Sequence, residues 1–138
     1  MTEHLYQDQI MALAHDETRA GRLDGADASA TVDNPLCGDR VTLDVRLDGG
    51  KITEIAHHVR GCALCAASAA ALSAAAEGRD ADSLRSAREQ IAALLAGGAP
   101  PGAPWEAFGA FAPVAAYKSR HSCVTLPFDA LDKAFAGT

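Results

Sequence analysis

The sequence predicts an α+β fold, a small antiparallel sheet with helices packed on one face. Three observations carry that expectation. Val41, Leu43, Val45 and Leu47 alternate with Thr42, Asp44 and Arg46, the period of a half-buried strand, and Asp48-Gly49-Gly50 follows as a short hairpin turn. After Gly61 the composition shifts to alanine, and the period of two gives way to a helical stretch. Further helical patterns stand at residues 3–19 and from Asp80 onward.

The elements follow in order. Tyr6, Ile10 and Leu13 lie at helical spacing between charged positions, so residues 3–19 read as an amphipathic first helix. The Gly-, Asp- and Ala-rich stretch Gly21–Asp33 reads as a loop. Asn34-Pro35-Leu36-Cys37-Gly38-Asp39 is a turn signal just ahead of the first strand. The return strand runs from Lys51 to about Val59, and a bulge reconciles Ile52 and Ile55, which are out of phase on it. An Ala-rich helix opens at Gly61-Cys62 and ends near Gly78, a residue suited to the position after a helix. So many alanines allow close backbone approach but bury little area per residue. A second helix runs from about Asp80, with Asp80 or Asp82 as N-cap and Leu84, Ile91 and Leu94 on one face. Gly97-Gly98-Ala99-Pro100-Pro101-Gly102-Ala103-Pro104 is a surface loop, and Trp105–Phe111 a short helix. The last helix is expected to start around Pro127, which suits the first helical position, with Leu131 and Phe135 on one face.

The chain's 138 residues fit a single domain, 1–138, long enough to bury its own core. Aromatic residues are only 5%, so that core must be mostly Ala, Leu, Val and Ile. A formal net charge of −6 argues against non-specific partnership with nucleic acid or an anionic membrane. No apolar run has the length needed to span a bilayer, and the first twenty residues lack the apolar core of a cleavable signal. The expected compartment is therefore the reducing cytoplasm, where four cysteines point to metal or catalysis rather than disulfides.

Those cysteines stand at element boundaries: Cys37 after the first loop, Cys62 and Cys65 at the strand-to-helix junction, and Cys123 before the last helix. Cys37-Gly38-Asp39 offers a thiolate and a carboxylate on one tight turn, the glycine letting the backbone fold around a ligand. Cys62 meets the unpaired N–H groups and dipole of a helix start, which favour its thiolate. Arg120 adds positive charge near Cys123. Residue types and spacing alone leave several readings open. A metal site is one and a structural zinc another. A Cys62/Cys65 redox dithiol is a third, and buried thiols that only pack a fourth. The histidines add little; His121, near the last cysteine, has a substitute-ligand reading, but an exposed or backbone-bonded place suits it better.

The joint pattern narrows the choice. Asn34-Pro35-Leu36-Cys37-Gly38-Asp39, then Gly61-Cys62 opening a helix with Ala67-Ser68, then Arg120-His121-Ser122-Cys123-Val124-Thr125-Leu126 resembles the U-type iron–sulfur scaffold family of IscU, SufU and the NifU N-terminal domain. The resemblance covers about Asn34 to Phe135. It implies an IscU-like (or SufE-like) fold and the ligands Cys37, Asp39, Cys62 and Cys123 for Zn²⁺ or a [2Fe–2S] cluster. It also implies a cysteine desulfurase and downstream iron–sulfur scaffold or acceptor proteins as partners. On the scaffold reading the protein assembles a cluster and passes it on. On the alternative it is a zinc-dependent sulfurtransferase with Cys37 as persulfide acceptor. The 61 positions from Cys62 to Cys123, and Ser122 where IscU proteins place histidine, resemble the SufU branch, as does Arg120-x-x-Cys123. The chain departs from the family at Val59-Arg60-Gly61-Cys62, where Gly-x-Gly-Cys is usual. His57 stands in a common phenylalanine position, and Cys65 is an additional thiol.

Overall fold

A computed structural model describes the backbone of residues 2–35 and 38–137, with side chains from residue 7 onward. The first helix, α1, is Thr2–Ala14, and three strands follow: β1 Ala28–Asn34, β2 Asp39–Asp48 and β3 Lys51–Arg60. Two helices come next, α2 Ala63–Ala76 and α3 Ala81–Leu95. Glu106–Ala116 and Lys118–Arg120 form 3-10 turns, and the last helix, α4, is His121–Ala136. The strands make one antiparallel sheet in the order β1-β2-β3.

The β2–β3 hairpin is as the alternation predicts. Gly49 and Gly50 both take positive φ (60° and 81°), the backbone a two-residue turn needs to match the twist of its strands. The bulge is present too. Arg46 pairs with Glu54 while Leu47 pairs with Ile52, leaving Thr53 as the extra residue and bringing both Ile52 and Ile55 into the core.

Three expectations are corrected. The first helix stops at Ala14, not residue 19, because the Asp16 carboxylate accepts both the N–H and the hydroxyl of Thr18 (3.0 and 2.6 Å), a local turn that competes with helix. The stretch expected as loop to Asp33 contains a strand, β1, paired with β2 from Ala28↔Val45 to Asn34↔Asp39. The last helix begins at His121, six residues before Pro127, which lies inside it. Pro127 has no N–H for the carbonyl four residues earlier, that of Cys123, so the helix tolerates it at the cost of one bond in its first turns.

Helices cover one face of the sheet. β2 points Val41, Leu43 and Val45 into the core, while α4 packs on β1 and β2 and α2 packs on β3. Helix α2 is buried almost all round, its alanines admitting α1 and α4 at close range. The segment from Arg19 to Asp27 runs across the opposite face. It pairs at the free edge of β3 (Gly21 N–H to His57 carbonyl, 2.8 Å; His57 N–H to Arg19 carbonyl, 2.9 Å) and ends beside β1. On the way it buries Asp44, which accepts Arg22 Nε (2.6 Å), Arg22 Nη2 (3.1 Å) and Leu23 N–H (3.0 Å), with the Ser29 hydroxyl also donating. Burial raises the Asp44 carboxyl, but these donors together outweigh it and leave it below the ordinary carboxylate value.

The scarce aromatics are concentrated. Trp105, Phe108, Phe111 and Phe128 form one cluster with ring centroids 5.4 to 6.3 Å apart, anchoring the 3-10 segment against α4.

Candidate metal centre

β1 ends, β2 begins and β3 ends at one edge of the fold, and both α2 and α4 start there. Asn34 and Asp39 are directly paired on the helix-covered face. Asn34 donates its side-chain amide to the Ser122 hydroxyl at 2.8 Å, tying the end of β1 to the first turn of α4. Asp39 is 1% exposed, and its Oδ1 accepts the Cys62 N–H at 2.8 Å. Cys62 is the N-cap of α2, with extended backbone (φ −78°, ψ 163°), so its N–H and thiol both face the carboxylate. Its Sγ lies 3.6 Å from Asp39 Oδ2.

Gly61 makes this approach possible. Its φ is +156°, and a Cβ there would stand 2.1 Å from Asp39 Oδ1 and 2.9 Å from Asp39 Cα. Only glycine lets the β3–α2 junction pass so close to β2.

Cys123, 0% exposed, is the third residue of α4 rather than a residue ahead of it. Ser68 on α2 donates its hydroxyl to the Val124 carbonyl, fixing the cysteine's turn of α4 against α2. The ligand atoms of Asp39, Cys62 and Cys123 all fall within 4.8 Å of one another. In a tetrahedral zinc site a thiolate and a carboxylate oxygen, bound at about 2.3 and 2.1 Å, stand roughly 3.6 Å apart. The Asp39–Cys62 separation already has that value. Soft thiolates with one hard carboxylate are a donor set for zinc or iron, so the residues present fit either group.

Three of the four expected ligands thus converge, from positions 39, 62 and 123. Cys37 lies outside the described residues. Cys65 is buried at the third position of α2, one turn beyond Cys62. His121 is backbone-bonded as expected: its Nε2 lies 3.1 and 3.2 Å from the Val114 and Ala115 carbonyls, pinning the 3-10 segment to α4. Arg120 is exposed at the N-cap of α4. The positioning residues Asn34, Ser68 and Ser122 stand in the quoted motifs, but nothing in their own chemistry announces a partner 56 or 88 positions away.

The sequence profile of the NifU-like N terminal domain matches residues 5–124. The chain belongs to that family. Among solved structures, the N-terminal domain of a nitrogen-fixing NifU-like protein from Brucella abortus superposes with a TM-score of 0.90 at 35% identity, covering 97% of this chain and 94% of that one. The iron–sulfur cluster assembly scaffold protein IscU of Streptococcus pyogenes is 32% identical over 133 residues, 95% of this chain and 82% of its own. The zinc-dependent sulfurtransferase SufU of Bacillus subtilis is 28% identical over 106 residues, 76% of this chain and 72% of its own. Two IscU scaffold proteins of Archaeoglobus fulgidus are matched over 61% of their length. Members carrying the scaffold and the sulfurtransferase descriptions therefore both align with this NifU-like domain. Among the described residues, no helix is long and apolar enough to cross a membrane.

Proposed function

We propose that the chain, acting as a single scaffold domain over residues 1–138, is an iron–sulfur cluster assembly protein. Cys37, Asp39, Cys62 and Cys123 take iron and sulfide, or the finished [2Fe–2S] cluster, as cargo and hand it on. The observation that carries the reading is the convergence of Asp39 with Cys62 and Cys123, one carboxylate among thiols. Most clusters kept as permanent redox centres are held by four thiolates. An aspartate is a harder and weaker ligand to iron, so it favours release. The Cys62 N–H holds Asp39 Oδ1 and leaves Oδ2 facing the Cys62 thiol, so the carboxylate is aimed before any cargo arrives. The IscU relatives support this reading.

A second reading has its own support, the SufU relative and the long interval between Cys62 and Cys123 that folds into α3 and the 3-10 segment. In it, zinc held by the same four residues keeps the thiols ionised at neutral pH. The Cys37 thiolate attacks the outer sulfur of a persulfide on a cysteine desulfurase, the desulfurase thiolate leaves, and the sulfur passes to a downstream scaffold or acceptor.

The test is metal and acid-labile sulfide content of protein purified without oxygen, wild type beside Asp39→Ala. Equal iron and sulfide, with a longer-lived cluster in Asp39→Ala, is the expected result for a scaffold. One tightly held zinc and no sulfide transfers the assignment to the sulfurtransferase, for which Cys37→Ser must stop sulfur acceptance. Neither metal nor sulfide removes both.

A further inference from the structure

Cys65 is the cysteine that neither reading employs. We propose that it is the resolving thiol of the site, converting sulfane sulfur delivered to Cys62 into sulfide. The proposal rests on the reading that this site receives sulfur for cluster assembly.

The first turn of α2 sets the pair side by side. Cys62 is the N-cap, with extended backbone, and Cys65 is the third helical position. The N-cap and the third helical residue are neighbours across a helix's first turn, each side chain within range of the other's backbone N–H; here both carry thiols, and the Cys62 thiol is turned toward Asp39 instead of capping the helix. A C-x-x-C pair at a helix start is also an arrangement that closes into a disulfide.

Exposure divides the work between them. Cys62 is half-buried, whereas Cys65 and Cys123 are 0% exposed, so among the described thiols Cys62 is the one an incoming sulfur donor reaches. Cys65 lies behind it, on the side of α2 that meets α4. Ser68, one turn further along α2, donates to the carbonyl of Val124, the residue next to Cys123. A thiol in that place is shielded from bulk oxidants and meets chiefly what Cys62 carries.

The chemistry answers a need of the scaffold. A persulfide brings sulfur at the oxidation level of the element, while a cluster contains sulfide, so two electrons must be supplied. The Cys65 sulfur attacks Cys62 Sγ and forms the Cys62–Cys65 bond. The bond from Cys62 Sγ to the sulfane sulfur breaks, and that sulfur leaves with the electron pair as hydrosulfide, taking the Cys65 proton. Two cysteine sulfurs are oxidised to a disulfide and the sulfane sulfur is reduced. A dithiol reductant then reopens the disulfide by exchange and returns Cys62 to the ligand set.

The experiment treats oxygen-free protein with inorganic tetrasulfide as sulfane donor, removes the excess, and follows sulfide release while peptide mapping records the state of each cysteine. Wild type should release sulfide without added reductant and acquire a Cys62–Cys65 disulfide. Cys65→Ala should keep the sulfane sulfur on Cys62 until dithiothreitol is added. Alanine suits this Ala-rich helix, and a melting curve like that of wild type shows the variant folded; Cys65→Ser, closer in size, repeats the test. Equal unassisted release from both variants, or a wild-type disulfide joining Cys62 to a different cysteine, overturns the role of Cys65. Sulfane sulfur retained on Cys62 in wild type overturns it while leaving the sulfur-handling site intact. Sulfane sulfur on no site thiol in any of the proteins overturns the underlying reading as well.

Discussion

At Gly61 a single hydrogen in place of a methyl group decides whether Asp39 can sit beside Cys62. Gly61→Ala places a Cβ 2.1 Å from Asp39 Oδ1, and the carboxylate cannot yield without giving up the Cys62 N–H. The expected outcome is a loss of about 1–3 kcal/mol in stability together with metal and sulfide retention displaced from wild type in the same direction as in Asp39→Ala, read by melting and by metal analysis of the same preparation. Wild-type retention in Gly61→Ala would mean that Asp39 is not a ligand. His57 offers a second residue-level test. It is 6% exposed, hydrogen-bonded through Nδ1 to the Ser73 hydroxyl at 3.0 Å, and burial pushes its pKa below the usual histidine value. A depressed folded pKa means the unfolded chain takes the proton first. Its stabilising contribution is complete above the unfolded value of about 6.5 and is lost as pH falls through the lower folded value. His57→Phe should therefore remove the part of the stability loss that begins just below neutrality. Asp44, also depressed, keeps its own loss in the carboxylate range. Denaturant melts of wild type and His57→Phe between pH 7.5 and 5 check this; parallel pH dependences would refute it. Asp39, Cys62 and Cys123, which the structure brings together, stand out in the sequence through the joint motifs and the family these resemble, since thiols and an aspartate at element ends leave several chemistries open on their own. Asn34 and Ser122 stand in the same motifs with no role that the sequence declares, because a neutral hydrogen bond across 88 positions leaves no local signal.

Among the elements, legibility followed side-chain pattern. The β2–β3 hairpin, its bulge, the end of α2 at Gly78 and the Asp80 cap of α3, which accepts the Ser83 N–H at 2.9 Å, were all written in local chemistry. β1 was not, because Ala28-Ser29-Ala30-Thr31-Val32-Asp33-Asn34 has little intrinsic strand preference. Its strand state comes from pairing with β2, and from cross-strand partners such as the Thr31–Thr42 hydroxyl pair at 2.9 Å. The start of α4 was misplaced because Pro127 reads locally as a first helical residue. The tertiary bonds that hold the preceding turn helical, from Ser68, Asn34 and His121, are invisible there. Ser68 is the sharpest of these to test. Ser68→Ala removes the bond to the Val124 carbonyl at the cost of about 1 kcal/mol, a small effect on melting. Since that bond steadies the turn carrying Cys123, metal should also leave measurably faster in a chelator competition. By contrast, Arg85 and Arg88, which bond Asp132 and Asp129 between α3 and α4 on the surface, should leave the metal off-rate unchanged when replaced by alanine.

Taken as a whole, the molecule separates the work of folding from the work of binding. The apolar cluster runs from Ile10 through the sheet and α2 to the aromatic group and α4, and it is built from long-range packing that no metal mediates. Asp39 and Cys62 lie at the edge of this body, drawn together by hydrogen bonds already present. A domain so arranged differs from a zinc finger, whose fold is absent without its metal. Chelation should then lower the melting temperature without abolishing the transition. A ligand present at a hundred times its dissociation constant stabilises by about 2.7 kcal/mol, and for a chain of this length that corresponds to roughly 10 °C. The check is circular dichroism melting of metal-loaded and chelator-treated protein, each at two ligand concentrations. A cooperative transition in both, displaced by an amount that grows with free metal, is the expected outcome. It would place the centre on a folded platform that can load and unload cargo without unfolding, as a scaffold must. Loss of the transition on chelation would instead make the centre part of the core, and release of its contents could no longer be a routine step.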